Sequence, residues 1–355
     1  MKILITGVGG VTPRSFAQAL RKYSKYARYE MIGTDSNQYA LGLYMPELFN
    51  NSYLVPKVTD PDYWRVIDSI IDKEKIDYAV INPELEVVEW ARRSAEYKFP
   101  LKVLLPEFKL ASILVDKAQL NEILEPYGIV PKSFVLTAED LIDTGNLKLQ
   151  FPFWIRSALG SSGLGSMKIN SADELKNWIK VNPKVEKFLA SEFLPGRNLG
   201  CKMLYHNGEL IRSAIAERVY YIMAKVAPSG ITGNTCFGRL VNDSNVFNVA
   251  KQAMDIMFEK TKTKKHGFFT VDLKEAADGT AKVTEVNVRF VAFAQAYAAG
   301  GANLPEDLIR VIDNDPKFDR RFKLYEFEPD MIFLRDVDEQ PIIMKESQLL
   351  TKFEY

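Results

Sequence analysis

Histidine and cysteine are scarce, two of each in 355 residues, and net charge is absent, with 46 Lys+Arg against 46 Asp+Glu. So few histidines argue against both a multi-histidine metal centre and a His-based hydrolase. His206 sits in YHNGEL, whose Asn207-Gly208 is a hairpin-turn signal, and it reads as a surface turn residue. Cys201 and Cys236 lie far apart and outside any C-x-x-C motif, which gives no zinc signature and suits a reducing cytoplasm. The charge balance supplies no general attraction to nucleic acid or to an anionic membrane. No apolar run reaches the ~18 residues of a membrane span. MKILITGVGGVTPRSFAQAL is interrupted by glycine and threonine, so it reads as a strand, loop and helix rather than a signal peptide.

What is present is a globular composition, 47% apolar and 26% charged, in a chain long enough for two or three domains. Over residues 1–105, strand-like KILITGV, EMIGTDS, DYAVINP and KVLLP alternate with helix-like PRSFAQALRKY, DPDYWRVIDSIIDKEK and VVEWARRSAEY. Such alternation predicts a parallel, doubly wound sheet, whose ligands bind at the carboxyl ends of the strands. Those ends carry Gly7-Val8-Gly9-Gly10, Asp35 and Asn82-Pro83-Glu84. One helical segment, SILVDKAQLNEILEPYGI, follows. Strand-like FPFWIRSA then enters the glycine-rich LGSSGLGS, ahead of a strand MKIN, a helix SADELKNWIK opened by an S-x-x-E box and a strand FLASEFL. Strands dominate from Leu199 to Val219, then comes the helix NVFNVAKQAMDIMFEK. After a hairpin, the end of the chain reads as short strands around Asp336 to Gln340.

In that hairpin, VTEVNVRF alternates Glu285, Asn287 and Arg289 on one face with Val286, Val288 and Phe290 on the other. Asp278-Gly279 upstream predicts a two-residue type I′ turn. That register sets Asp272 opposite Glu285 and Thr270 opposite Asn287. Directly opposed carboxylates repel, so something positive is expected between them. Two acids and an amide oxygen suit a hard divalent cation such as Mg²⁺. LGSSGLGS is a phosphate-cradle candidate, because glycines let backbone N–H groups approach oxyanions. Gly160 and Gly165 have G-x-x-x-x-G spacing, but Ser166-Met167 stands where a P-loop has Lys-Ser/Thr.

Together these segments resemble the ATP-grasp ligases, in the branch near the carbamoyl-phosphate synthetase large chain. The resemblance runs in order through LITGVGG, NPELEV, VDKAQLNEILEPYGIVPKSF, FPFWIRSALGSSGLGS, LASEFLPGRNLGCKML and TEVNVRF. It implies an α/β chain with α+β character towards its C-terminus. A Rossmann-like domain would span 1–110, an ATP-grasp domain 111–320 with a lid over 120–190, and a strand extension 321–355.

The resemblance also implies roles. Lys117 would touch the ATP phosphates, and Arg156 would stand where relatives carry a second phosphate-binding lysine, keeping charge but changing geometry. Gly160, Ser161, Ser162 and Gly163 would belong to the lid loop. Glu192, Phe193 and Leu194 would form the adenine hinge, with Asn198 where relatives often place an acid for the ribose. Asp272, Glu285 and Asn287 would hold two Mg²⁺ ions, with Mn²⁺ as an alternative, and Arg289 would steady the transferring phosphoryl group. Arg218, Arg14 and Glu84 are substrate-side candidates. The implied reaction joins a small-molecule carboxylate to an amine through an acyl phosphate, in a cytoplasmic enzyme, as a homodimer, without nucleic acid or membrane.

Two other readings compete. A non-catalytic nucleotide sensor would explain Arg156 and Asn198. An NAD(P)-dependent oxidoreductase would use Gly7, Gly9 and Asp35, but the third glycine of its fingerprint is Thr12, and it leaves Asp272, Glu285 and Asn287 without a task.

Overall fold

A computed structural model describes residues 1–136, 140, 147–159, 165–336, 342–345 and 347. The N-terminal sheet is parallel, with order β3-β2-β1-β4-β5: β1 Lys2–Thr6, β2 Glu30–Asp35, β3 Asn51–Leu54, β4 Tyr78–Val80 and β5 Lys102–Val103. Helices Val11–Tyr23, Tyr63–Glu74 and Glu84–Ser94 make the crossovers. The doubly wound expectation therefore holds. The edge strand β3 is an addition, because NSYL is short and half-exposed and carries little of the apolar signal that marks a buried strand.

The helix expected from Ser112 onward is two helices, Phe108–Leu114 and Lys117–Leu124. Asp116 makes the break. Its side chain accepts from the N–H groups of Ala118 and Gln119 at 2.9 and 3.2 Å, capping a new helix. Lys117 thereby becomes the first residue of that helix, and its N–H donates to Ala158 O at 3.1 Å.

A four-stranded sheet of order β6-β9-β7-β8 follows, built from β6 Ser133–Val135, β7 Phe153–Ser157, β8 Met167–Ile169 and β9 Phe188–Glu192. Helix Ala172–Val181 opens as expected, with Ser171 Oγ accepting from Glu174 N–H at 3.2 Å. The third sheet runs β14-β13-β10-β11-β12-β16-β17, with β15 paired to β11. Its members are β10 Asn198–His206, β11 Glu209–Tyr221, β12 Thr235–Val241, β13 Gly267–Glu275, β14 Ala281–Asn287, β15 Lys323–Leu324, β16 Met331–Leu334 and β17 Ile342–Lys345.

Burial follows strand alternation. On β10 and β13, Leu199, Cys201, Met203, Phe269, Val271 and Leu273 enter a core shared with helix Ser244–Thr261 and with Ile67 and Trp90 of the N-terminal unit. A second core joins Ile3, Ile5 and Phe16 to Phe290, Tyr297, Leu308 and Phe333. The parallel sheet thus shares a core with residues between Phe290 and Phe333. His206 is a correction: it ends β10, is 9% exposed, and its Nδ1 lies 3.1 Å from Arg320 Nη1. The turn itself is Asn207-Gly208, both with positive φ, as the sequence predicts.

Candidate functional site

The β13–β14 hairpin sets the geometry. Asp272 pairs with Glu285 and Thr270 with Asn287, the register expected, but by a different route. Ala276 N–H donates to Thr280 O at 2.9 Å and Gly279 N–H to Ala276 O at 3.0 Å, so the loop is Ala277-Asp278-Gly279, one residue longer than a type I′ turn. The extra residue shifts the pairing beside the loop by one, to Leu273 with Val283. A bulge at Thr284 shifts it back. Thr284 is left outside the ladder, and its carbonyl accepts from Arg156 Nη2 at 2.6 Å.

That bond ties β7 to the hairpin across a cavity of about 620 Å³. Asp272, Glu285, Asn287 and Arg289 line it from the hairpin side. Lys117 and Arg156 line it from the helix and the small sheet, Glu192, Phe193 and Leu194 from the end of β9, and Asn198 and Arg218 from β10 and β11. Gly160 to Gly163 lie outside the described residues. Arg14 and Glu84 are not in the lining, although Glu84 is near enough to feel Arg289, Lys117 and Glu285.

The positive charge expected between the two acids is supplied in part by the chain. Arg218 Nη2 stands 2.5 Å from Asp272 Oδ1, and Lys117 Nζ stands 3.5 Å from Glu285 Oε2. Between them, Asn287 Nδ2 donates to Asp272 Oδ2 at 3.4 Å and to Glu285 Oε1 at 3.3 Å. Burial and the neighbouring Glu285 push Asp272 above the usual carboxylate range, against the pull of Arg218. Burial opposes ionisation of Glu285 too, but Lys117 and Arg156 overcome it and hold its carboxyl below the usual range. The pair therefore splits as two close carboxylates do. Among the described residues no group of three or more His, Cys, Asp or Glu forms a metal cluster. The two carboxylates are hard oxygen donors that fit Mg²⁺ held jointly with phosphate oxygens, and the Asn287 amide, whose nitrogen faces them here, would add its oxygen once turned end for end.

Arg289 lies beyond the end of β14. Its Nη1 donates to Phe290 O at 3.1 Å, and its buried Nε makes no hydrogen bond among the described residues. Asn198, expected to face a ribose, has its amide engaged: Nδ2 donates to Tyr221 Oη at 2.6 Å and Oδ1 accepts from Arg218 Nη1 at 3.4 Å. Lys274 lines the same part of the cavity, with Nζ 2.9 Å from Gly196 O.

Sequence reasoning missed Lys202. It is 1% exposed, donates from Nζ to Val291 O at 2.8 Å, and lies 5.5 and 5.4 Å from the ring centres of Phe293 and Tyr297. Burial, with Arg218 and Arg289 adding to it, pushes its amine well below the ordinary lysine value despite Asp272. The bond pins the segment after Arg289, in which Phe293 has φ +57°, a strained angle for a bulky residue. One lysine inside the apolar run LGCKMLY is the signal that could have marked it.

The dinucleotide reading loses its ribose acid. Asp35 Oδ2 accepts from Gly9 N–H at 2.7 Å and Oδ1 from Asn37 N–H at 2.8 Å, so Asp35 closes its own loop. Gly42 packs so tightly on Val8 that a Cβ there would lie 2.2 Å from Val8 O, laying the segment after β2 against the glycine loop.

No family model and no curated protein matches the chain by sequence. Solved structures do match in fold. An N5-carboxyaminoimidazole synthetase from Staphylococcus aureus, complexed with ADP, superposes with TM-score 0.70 at 16% identity, over 94% of this chain and 81% of that one. An L-amino acid ligase from Bacillus licheniformis gives 0.65 at 14%, over 94% and 78%. A biotin carboxylase from Campylobacter jejuni, in a βγ-ATP complex, gives 0.65 at 11%, over 94% and 75%. The chain therefore has the ATP-grasp fold that its motifs resemble.

Proposed function

We propose that the protein is an ATP-dependent ligase joining a small-molecule carboxylate to an amine through an acyl phosphate. The observation that carries this reading is the convergence on one cavity of an Asp272–Glu285–Asn287 oxygen set with Lys117, Arg156 and Arg289. Phosphoryl transfer asks mainly for positioning and charge neutralisation. The substrate carboxylate attacks the γ-phosphorus, the bond to the bridging oxygen breaks, and ADP leaves. The amine then attacks the acyl carbon, a proton is lost from nitrogen, and phosphate departs with the bonding pair.

Lys117 and Arg289 meet the phosphate oxygens in this reading, and Arg156 adds charge from its anchor on Thr284. Glu192, Phe193 and Leu194 take the adenine, and Lys274 is better placed than Asn198 for the ribose, since Asn198 serves Arg218. Asp272, Glu285 and Asn287 would hold Mg²⁺, two ions or Mn²⁺ in its place, which when bound neutralises phosphate charge. Solved structures of the same fold support nucleotide chemistry, one being a complex with ADP and another a βγ-ATP complex. Cys201 and Cys236 are free thiols, in keeping with a cytoplasmic location. No described helix is long and apolar enough to cross a membrane.

The test is ADP release on screening acid and amine pools with MgATP. Asp272→Asn and Glu285→Gln should fold and lose turnover. A folded variant with near-normal turnover contradicts the metal assignment, and nucleotide binding without turnover on any pool favours a non-catalytic sensor.

A further inference from the structure

Between β9 and β10 the chain crosses from the small sheet to the large one. Glu192, Phe193 and Leu194 line the cavity before the crossing and Asn198 lines it after, while Pro195, Gly196 and Arg197 stand outside the lining. These outside residues are tied to the end of β13. Gly196 N–H donates to Glu275 O at 2.9 Å and Glu275 N–H to Arg197 O at 3.0 Å, which carries the β10–β13 ladder past its first pair, Asn198 with Lys274. Lys274 Nζ adds a bond to Gly196 O at 2.9 Å.

Arg197 makes the tie ionic and directional. Its Nε stands 3.1 and 2.9 Å from Glu275 Oε1 and Oε2, and its Nη2 stands 2.5 Å from Oε1. Its own N–H donates to Glu275 Oε2 at 3.2 Å. The same Nη2 reaches Asp243 Oδ2 at 2.7 Å, and Asp243 caps helix Ser244–Thr261 by accepting from Val246 N–H at 3.1 Å. Arg197 is partly exposed, but Glu275 is buried. A forked, charge-assisted contact fixes orientation as well as distance. Glu275 shares β13 with Asp272, so this contact sets the Glu192–Leu194 turn against the strand that carries one of the two site carboxylates.

Resting on the ligase reading, we propose that Arg197 is a positioning residue for the nucleotide, acting through Glu275. Arg197 touches no substrate. It holds the Glu192–Leu194 hinge at a fixed span from Asp272, so a nucleotide seated on the hinge presents its phosphates to the hairpin without first having to order the crossing segment.

Calorimetric titration of the full chain with ADP, with and without Mg²⁺, tests this on Arg197→Met and Arg197→Lys. Arg197→Met should weaken ADP about tenfold under both conditions and leave the enhancement by Mg²⁺ at its natural value. A merely structural loosening of the site would take the Mg²⁺ enhancement with it. Arg197→Lys keeps the charge and loses the fork, so it should weaken ADP about threefold, and it carries the test if the methionine variant does not fold. Unchanged ADP affinity in a folded variant, or loss of the Mg²⁺ enhancement together with affinity, overturns the positioning role while the nucleotide site stands. If ADP does not bind the natural protein, it is the ligase reading that fails.

Discussion

Arg218 Nη2 and Asp272 Oδ1 stand 2.5 Å apart with both side chains about nine-tenths buried, so one of the two carboxylates of the site has a counter-ion built into the fold. The pair is held from behind by Asn198 and Tyr221. Removing one partner strands the other charge in a low-dielectric interior, which costs about 3–5 kcal/mol. Arg218→Met should therefore lower the urea midpoint by that equivalent, and Arg218→Met with Asp272→Asn should recover most of it. A double variant as unstable as the single one would show that the two are not coupled.

Glu86 predicts a pH effect on stability outside the site. It is 8% exposed, and burial raises its pKa from 4.5 to about 7, against the hydrogen bonds of Thr6 and Tyr63. The folded state then holds a proton that the unfolded state has lost. Its contribution is full below about pH 4.5 and is lost as pH rises through about 7. Glu86→Gln should thus raise the urea midpoint at pH 8 and leave it nearly unchanged at pH 4.5. Equal effects at both pH values would contradict the raised pKa.

Lys202 holds Val291 O from outside the cavity lining, which includes Val291 but not Lys202. Lys202→Met keeps the length and suits the Phe293 and Tyr297 rings, so we expect a stability change within about 1 kcal/mol: relief from a buried amine against one unpaired carbonyl. With the segment after Arg289 no longer pinned, kcat for ADP release should fall about tenfold, a misplacement effect, while KM for ATP stays the same. A rise in KM with kcat unchanged would assign Lys202 to binding instead.

Gly7 is the most constrained glycine of the cavity. Gly7→Ala combines positive φ with a Cβ 2.5 Å from Pro83 Cγ, a clash against a ring that cannot swing aside. The cost should be about 1–3 kcal/mol, read as a lower urea midpoint, and an unchanged midpoint would mean that the 82–84 loop yields.

Much of this was legible in the sequence because it rests on local periodicity. Alternation placed the strands of the parallel sheet, and the constant index sum of a hairpin placed Asp272 opposite Glu285. The turn was misread by one residue, and the facing pair survived only because the bulge at Thr284 cancelled the error. Bulges and caps are choices of a few atoms: Asp116 splitting one expected helix into two is another. Long-range pairings left no local trace. Nothing near Arg218 in the sequence announces Asp272, and nothing near Lys202 announces Val291. Arg14 and Glu84 were placed at the correct ends of the sheet, but the lining at that end comes from Val11, Thr12 and Asn82 instead.

The most direct measurement is a calorimetric titration with ADP, with and without Mg²⁺, on the natural protein and on Glu285→Gln, beside NADH. The account predicts Mg²⁺-dependent binding of ADP that Glu285→Gln weakens by about tenfold or more, and no binding of NADH. Binding of ADP that is indifferent to both Mg²⁺ and Glu285, or binding of NADH alone, would contradict it.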